Sequence, residues 1–284
     1  MTIVNLLKDT DIVCDFTNSL INKSVIDSLP NLKLIATRST GFDHIDIAYA
    51  NSKGMKVCNV PAYGSKTVAE FAFALILVLS RKIREAAHLL KKNGDYSISS
   101  ELQGFDLENK TLGVVGTGKI GKNVIKIAQG FGMNVLAYDL YPDPKFAEEN
   151  NFTYKTFAEV LSQADIITLH VPYTKENHHL INKENISLIK KGAYLINTAR
   201  GEIVETEALV FALQTGIVAG AGLDVLEGER KFKKGDTIPM LGMPNVIMTP
   251  HVAFDTKEAE GRIMQTTVDN IKAFLAGNPI NSVQ

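Results

Sequence analysis

The sequence predicts an α/β protein of two domains, each built on a parallel sheet with helices on both faces. Three observations predict it. Short β-branched runs recur along the 284 residues, helix-like patterns separate most of them, and a Pro/Gly break at "VPAYGS" (60–65) divides the chain. Near-continuous apolar strands alternating with helices suit parallel sheets, because each crossover lays a helix on a face and leaves no wet side.

The first segment supplies three strands, "DIVCDF" (11–16), "KLIATR" (33–38) and "MKVCNV" (55–60). After the break, "KTVAEFAFALILVLSRKIREAAHLLKK" (66–92) reads as one long helix. Its centre, "FAFALILVL" (71–79), is apolar on every side, which points to a buried helix at a domain or subunit contact. With Glu70, Arg81 and Lys82 flanking it, that run is too short to span a bilayer. The strand "LGVVG" (112–116), the helix "KIGKNVIKIAQGF" (119–131) and the strand "MNVLAY" (133–138) follow. Four more strands are "IITLHV" (166–171), "AYLINT" (193–198), "GAGLDV" (220–225) and "NVIMTP" (245–250), with the helix "ETEALVFALQTG" (205–216) among them. The last pattern, 256–276, is a helix without a strand of its own, expected to pack back on the first segment. The expected domains are therefore residues 1–62 with 254–284, and residues 63–253.

A formal net charge of −1 provides no general attraction to nucleic acid or to anionic membrane, so neither is an expected partner. The one dense basic stretch, "ERKFKKGD" (229–236), is expected to be a solvated loop. Cys14 and Cys58 lack metal-ligand spacing, and two thiols make no disulfide framework. They are expected to be packing residues in a reducing cytoplasm, and no metal site is expected. The start of the chain shows no signal-peptide pattern.

The stretch with the most specific chemistry is "TLGVVGTGKIGKNVIKIAQGFGMNVLAYD" (111–139). Gly116, Gly118 and Gly121 follow a strand and open a helix, and Asp139 ends the next strand about 20 residues on. Gly116 permits the tight turn, Gly118 lets the backbone approach a pyrophosphate, and Gly121 lets helix and strand pack closely. The helix N-terminus offers free N–H groups and a positive dipole to the phosphates. Asp139 would accept from the ribose hydroxyls and repel a 2′-phosphate, and Leu140 and Tyr141 offer no cation in its place. The expected cofactor is NAD rather than NADP.

Three further polar groups stand where strands end, which in open parallel sheets is the ligand crevice. Arg200 follows "AYLIN", Asp224 and Glu229 lie in "GLDVLEGE", and His251 follows "NVIM". Reduction of a 2-keto acid needs a cation for the carboxylate and ketone, an acid for the new alkoxide, and a carboxylate to hold that acid. Arg200, with a planar and always-charged fork, suits the first task. His251 suits the second and Glu229 the third.

With these residues in place, the chain resembles the D-isomer-specific 2-hydroxyacid dehydrogenases, and most closely their D-lactate dehydrogenase branch. The matching stretches run in order over nearly the whole sequence: "LKLIATRSTGFDHID", "VPAYGSKTVAEFAFALIL", "GVVGTGKIGKNV", "AYDLYP", "ITLHVPYTKENHHLIN", "LINTARGEIVETEAL", "AGLDVLEGE" and "TPHVAF". The resemblance implies a Rossmann-type doubly wound NAD domain and a smaller flavodoxin-like substrate domain, with the substrate in a cleft between them. It puts the catalytic set on Arg200, Glu229 and His251, and an acid near the nicotinamide carboxamide on Asp224. It adds Thr117, Lys119, Ile120, His170, Val171, Pro172, Thr198 and Ala199 to the cofactor contacts, with His251 also beside the cofactor. It implies that backbone N–H groups of Ser39, Thr40 and Gly41 bind the substrate carboxylate, and that Tyr63 lines the pocket. Members are homodimers built on the long helix after "VPAYGS". The pair most in keeping with this branch is pyruvate and D-lactate. Glyoxylate or hydroxypyruvate, a branched 2-keto acid and phosphite stay open, as do an NAD-sensing binding protein and an inactive truncated paralogue. Family chains begin with a strand and helix ahead of the segment resembling "TDIVCDF", and this sequence starts just before that segment. Since that strand lies inside the substrate-domain sheet, its neighbours are expected to carry unpaired backbone groups.

Overall fold

The computed structural model describes residues 6–17, 19–94 and 96–283. Residues 1–5 and 18 of the expected first segment lie outside them. The chain divides into two compact units, Met1–Gly64 with Asp255–Gln284, and Ser65–Phe254.

In the first unit, β1 (Ile12–Asp15), β2 (Leu34–Thr37) and β3 (Lys56–Cys58) form a parallel sheet in that order. Each strand pairs directly with the next, Asp15 opposite Thr37 and Ala36 opposite Cys58, so no gap separates the described strands. Helix α1 (Lys23–Asp27) is capped by Asn22 and α2 (Ile47–Ser52) by Asp46, whose side chains accept the N–H groups of Val25 and Tyr49. These caps satisfy amides that the first helical turn leaves open. A core of Ile26, Leu29, Leu32, Ile35 and Val57 lies between helices and sheet.

The second unit opens with α3 (Ser65–Ser80) and α4 (Ile83–Asn93). The single long helix expected here is broken. The Ser80 carbonyl, which an unbroken helix would offer to residue 84, accepts instead from Phe105 N–H at 2.9 Å, and Lys82 takes a left-handed φ of 53°. Helix α3 buries Phe73, Leu75, Ile76 and Leu79. At about 1.5–3 kcal/mol for each such side chain, this burial outweighs any propensity term. It is placed by its own unit's sheet, which accounts for its all-round apolar sequence.

The sheet of this unit is formed by β4 (Thr111–Val115), β5 (Asn134–Tyr138), β6 (Thr153–Tyr154), β7 (Ile166–Leu169), β8 (Ala193–Asn197), β9 (Val218–Leu223) and β10 (Val246–Met248). All pairs are parallel and the order is β10-β9-β8-β7-β4-β5-β6. The order reverses between β4 and β7, which defines a doubly wound, Rossmann-type sheet with its switch point there. Helices α5 (Lys119–Gly130), α6 (Pro144–Glu149), α7 (Phe157–Gln163) and α8 (Thr206–Thr215) belong to it. The elements β6, α6 and α7 were not anticipated, β6 being only two residues long. Their capping signals are plain in retrospect: Asp143 before Pro144, and a Thr156–Glu159 capping box.

Helix α9 (Lys257–Leu275) returns the chain to the first unit, where Ile271 and Phe274 pack on Leu34, Ala36 and Cys58. Asn270 and Asn281 tie it further, Asn270 Nδ2 donating to the Asn59 carbonyl at 2.8 Å and Asn281 Nδ2 to Asn270 Oδ1 at 2.8 Å. The expectation that both cysteines pack holds for Cys58 and fails for Cys14, which is exposed. The reason is cover: Ile271 and Phe274 of α9 pack with Ile12 on Leu34, Ala36 and Cys58, and Cys14 is not part of that cluster. No helix among the described residues is long and apolar enough to cross a membrane.

Candidate active site

The glycine turn joins β4 to α5 at the switch point. Gly116 has φ 94°, and a Cβ there would stand 2.8 Å from the carbonyl carbon of His170. A Cβ on Gly121 would stand 2.0 Å from the Gly116 oxygen, so only glycine lets the helix close on its own turn. At Gly118 nothing lies within 4 Å of a Cβ position, which leaves the backbone open to an approaching group. Exposed Lys119 and half-buried Ile120 begin the helix just beyond it.

Asp139 follows the last residue of β5. Its Oδ2 accepts from Thr117 N–H at 2.6 Å and Thr117 Oγ1 at 2.9 Å, and its Oδ1 from Tyr141 N–H at 2.8 Å. The Thr117 hydroxyl is thus a donor to Asp139 and accepts from Tyr154 O–H, 2.8 Å away. Across the switch point, His170 follows β7. Its Nε2 lies 2.9 Å from Thr168 Oγ1, and burial pushes its pKa down to about 3, so the ring is neutral at physiological pH. His170 Nδ1 and Thr198 Oγ1 are buried without a hydrogen-bond partner among the described residues. An open helix N-terminus, a fixed carboxylate at the second strand and two orphaned polar atoms fit a dinucleotide. Val171, Pro172 and Ala199 stand beside His170 and Thr198 in the loops after β7 and β8.

Arg200 lies in the loop after β8, which Asn197 shapes: its Oδ1 accepts Ala199 N–H at 3.0 Å and its Nδ2 donates to the Arg200 carbonyl at 2.9 Å. Arg200 Nη1 donates to the Ala199 carbonyl at 2.7 Å. The next residue, Gly201, presses on the loop after β9, and a Cβ there would stand 2.1 Å from the Leu226 carbonyl carbon. This backbone contact sets the Arg200 loop against the Glu229 loop.

Glu229 opens a short 3-10 turn, Glu229–Lys231. Its Oε2 accepts Leu226 N–H at 2.9 Å, and its Oε1 lies 2.6 Å from His251 Nδ1. Burial alone would raise its pKa, but the hydrogen bond and charge of His251, the Leu226 amide and the Arg200 charge outweigh it and hold the carboxyl below its ordinary value. The remaining ring nitrogen of His251, Nε2, has no partner among the described residues. His251 takes a left-handed φ of 56°, a costly conformation for a residue with a Cβ. Its backbone N–H donates to the Asp224 carbonyl at 2.8 Å. The buried Asp224 carboxylate holds the same loop, Oδ1 accepting from Thr249 Oγ1 at 2.6 Å and Val252 N–H at 2.9 Å, Oδ2 from Ala253 N–H at 2.8 Å. Burial raises the Asp224 pKa against these three bonds. Both of its oxygens serve the His251 loop, a structural task that its position in "AGLDVLEGE" did not reveal. The lysines after Glu229 are exposed, whereas Glu229 itself is half-buried.

Ser39, Thr40, Gly41 and Tyr63 belong to the first unit. The first three form the loop after β2; Tyr63 lies in the turn after β3, its carbonyl accepting from Arg262 Nε at 2.7 Å. Asn197, Gly201 and Thr249 escaped the sequence reading as site residues. "LINTARG" contained the signal for two of them, since a strand-ending Asn and a Gly beside Arg200 are turn chemistry.

A doubly wound sheet with a dinucleotide turn at its switch point, and with Arg200 and a Glu229–His251 pair on the loops after its strands, defines an NAD-dependent oxidoreductase. Comparison with known proteins makes this specific. Residues 73–253 match the family profile described as D-isomer specific 2-hydroxyacid dehydrogenase, NAD binding domain. A hydroxypyruvate reductase of Blautia hydrogenotrophica is 38% identical across 99% of this chain and 87% of its own length. A glyoxylate reductase of Korarchaeum cryptofilum is 35% identical across 97% and 82%. The crystal structure of the D-lactate dehydrogenase of Aquifex aeolicus, complexed with NAD and lactic acid, is 40% identical, covers 99% of this chain and 90% of that one, and superposes with a TM-score of 0.90. The chain belongs to the D-isomer-specific 2-hydroxyacid dehydrogenases, and its cofactor is NAD.

Proposed function

We propose that the chain interconverts pyruvate and D-lactate, with Arg200, Glu229 and His251 as its catalytic residues. The observation that carries the chemistry is the 2.6 Å bond from Glu229 Oε1 to His251 Nδ1, which leaves Nε2 as the proton-transferring atom. NADH, when bound, supplies the hydride. In reduction, His251 Nε2–H gives its proton to the carbonyl oxygen as that oxygen becomes an alkoxide, and in oxidation neutral Nε2 takes the hydroxyl proton. Glu229 holds the ring in one orientation and stabilises its charged form. Arg200 neutralises the 2-keto acid and polarises its ketone. The first unit is the substrate domain and the second the NAD domain; the backbone N–H groups of residues 39–41 bind the carboxylate, and Tyr63 lines the substrate site. Asp139 and the glycine turn hold the adenosine end, while Asp224, Thr198 and His170 stand nearer the nicotinamide.

Pyruvate is favoured by the likeness to the Aquifex aeolicus enzyme over 99% of this chain. A second reading has its own support: the similar proteins from Blautia and Korarchaeum are named for hydroxypyruvate and glyoxylate. A panel of pyruvate, 2-ketobutyrate, hydroxypyruvate, glyoxylate and 4-methyl-2-oxopentanoate, read by NADH absorbance, decides between them. The pyruvate assignment requires the highest kcat/KM on pyruvate, and a higher value on hydroxypyruvate or glyoxylate overturns it.

A homodimer in the cytoplasm is part of the same proposal. The surface of α4 is available for assembly, since none of its residues is fully buried and Ile83 is 50% exposed. Light scattering that returned a monomer mass would remove this part.

A further inference from the structure

Away from Arg200, Glu229 and His251, the first unit holds a buried ionisable pair. His44 Nε2 lies 2.6 Å from Asp15 Oδ2, and each side chain is 1% exposed. The pair is costly. Asp15 Oδ1 and His44 Nδ1 are both buried with no hydrogen-bond partner among the described residues. A pair of this kind is commonly no more stabilising than apolar side chains of the same volume, so its presence calls for another reason.

The hydrogen bonds supply that reason. Asp15 ends β1 and Thr37, its register partner, ends β2. Thr37 Oγ1 is 3.3 Å from His44 Nε2 and 2.8 Å from Ser39 Oγ, and Ser39 Oγ donates to the Gly41 carbonyl at 2.6 Å. Ser39 has one hydroxyl proton, and Gly41 takes it. The Thr37 hydroxyl must therefore donate to Ser39 Oγ and accept from His44 Nε2–H, whose single proton is shared between Asp15 Oδ2 at 2.6 Å and Thr37 Oγ1 at 3.3 Å. The direction of every bond runs from the buried pair outward to the loop of residues 39–41.

The same loop is tied at its other carbonyls. Ser39 O accepts from Val60 N–H at 3.0 Å, and Thr40 O from Asn59 Nδ2 at 2.8 Å. All three carbonyl oxygens of residues 39–41 are thus bound within the unit. The backbone N–H groups of Thr40 and Gly41 donate to no group among the described residues. A loop with its carbonyls turned inward and its amides left over is an anion-binding concavity.

We propose that Asp15 and His44 are positioning residues for the dehydrogenase reaction: through Thr37 and Ser39 they hold the loop of residues 39–41 with its amides presented to the substrate carboxylate. This rests on the reading of that loop as the carboxylate site. The pair acts on substrate binding and touches neither hydride nor proton transfer.

The test uses the full chain and its best 2-keto acid. Thr37→Val cuts the relay at constant volume. Its KM should rise about tenfold, the loss expected when one hydrogen bond of roughly 1.4 kcal/mol stops ordering the site, with kcat within about threefold. The NADH Kd should not change. Thr37→Ser restores the hydroxyl and should bring KM back to within about twofold of wild type. His44→Leu should raise KM as Thr37→Val does, and His44→Gln, which keeps a donor for Asp15, should recover most of it. Should Thr37→Val fail to fold, Ser39→Ala cuts the next link with the same expected split. A structural role alone predicts falls in thermal stability with no split between KM and kcat, or equal KM for Val and Ser, and either result overturns the inference. A separate arm follows the amide NMR signals of Thr40 and Gly41 as oxamate is added to the NADH complex. Unmoved signals would overturn both the carboxylate reading and the inference. Moved signals with an unchanged KM in Thr37→Val would overturn the inference alone.

Discussion

Glu229 holds His251 by one nitrogen and is itself held by the Leu226 amide, 2.9 Å from its other oxygen. Gly201 meets that same Leu226 from the Arg200 side, where a Cβ would lie 2.1 Å from its carbonyl carbon. His251, Glu229 and the Arg200 loop are thus positioned through one stretch of backbone. The carboxylate pKa is depressed, so its contribution is present above that pKa and lost as pH falls through it. Wild-type reduction should hold on the acid side until Glu229 protonates, below the ordinary carboxylate range. Glu229→Gln keeps a hydrogen-bonding oxygen without the charge and should lack this acid limb. Its rate should fall by roughly 10²-fold, and that of His251→Gln by roughly 10²–10⁴-fold, while both variants still bind NADH. Rate–pH profiles and NADH fluorescence titrations measure these effects. An acid limb kept in Glu229→Gln would remove Glu229 as its source.

Gly201→Ala tests whether that backbone contact matters. The added methyl must displace the Leu226–Glu227 peptide or the Arg200 loop, because both neighbours are backbone and cannot rotate away. Overpacking of this kind costs about 1–3 kcal/mol. A shift of about 1 Å in catalytic groups can cost about 10²-fold in kcat. The expected variant is folded, binds NADH normally and turns over at least about tenfold more slowly. Wild-type kcat in a folded Gly201→Ala protein would show that the loop relaxes freely.

Much of this arrangement was legible beforehand, for identifiable reasons. The glycine turn, Asp139, Arg200, Glu229 and His251 are short-range signals: each is a residue type that chemistry demands, standing at the end of an apolar run. The nine strand runs read from the sequence also appear, because parallel strands buried on both faces are continuous stretches of apolar residues. What escaped notice depends on contacts distant in sequence. The break between α3 and α4 is made by Phe105, whose amide takes the Ser80 carbonyl, and nothing within 66–92 announces it. The task of Asp224 depends on the amides of Val252 and Ala253, nearly thirty residues away. The exposure of Cys14 follows from which residues α9 covers, Cys58 and not Cys14, which an apolar run does not encode.

The two cysteines should respond differently to truncation. Cys58 is fully buried among Leu34, Ala36, Ile271 and Phe274, with Ser282 Oγ 3.7 Å from its sulfur. Cys58→Ala should lower stability by about 1 kcal/mol through lost packing, whereas exposed Cys14→Ala should stay within about 0.5 kcal/mol. Denaturant unfolding measures both. Thiol titration of the native protein should modify Cys14 well before Cys58, and equal rates would contradict this assignment of burial.

The proposed ribose contact of Asp139 predicts a route to altered cofactor preference. Asp139 is fixed by Thr117 and Tyr141, so its charge cannot swing away from a 2′-phosphate. Leu140 beside it is 75% exposed and can become arginine without loss of packing. Asp139→Ala with Leu140→Arg should shift the NADPH/NADH ratio of kcat/KM toward NADPH by at least about tenfold. Because the Thr117 amide loses its partner, stability should fall by about 1–3 kcal/mol. Equal use of both cofactors by the wild type would remove Asp139 as the discriminating group.

His170 ties the stability of the fold to acid pH. Burial holds this ring neutral in the folded protein, with a pKa of about 3. In the unfolded chain it titrates near its unperturbed value of about 6.5. Between those two values the unfolded state binds a proton that the folded state refuses. Stability therefore rises with pH across that window and is lost as pH falls through it, by about 1.4 kcal/mol per pH unit for one proton. His170→Gln removes this titration and can still hydrogen-bond Thr168 Oγ1, now 2.9 Å from Nε2. The variant should be less dependent on pH between about 6.5 and about 4, its unfolding free energy falling by about one proton's slope less than wild type. Urea unfolding at half-unit pH steps reads the difference directly. Parallel slopes for the two proteins would mean that the buried ring takes up a proton in the folded state.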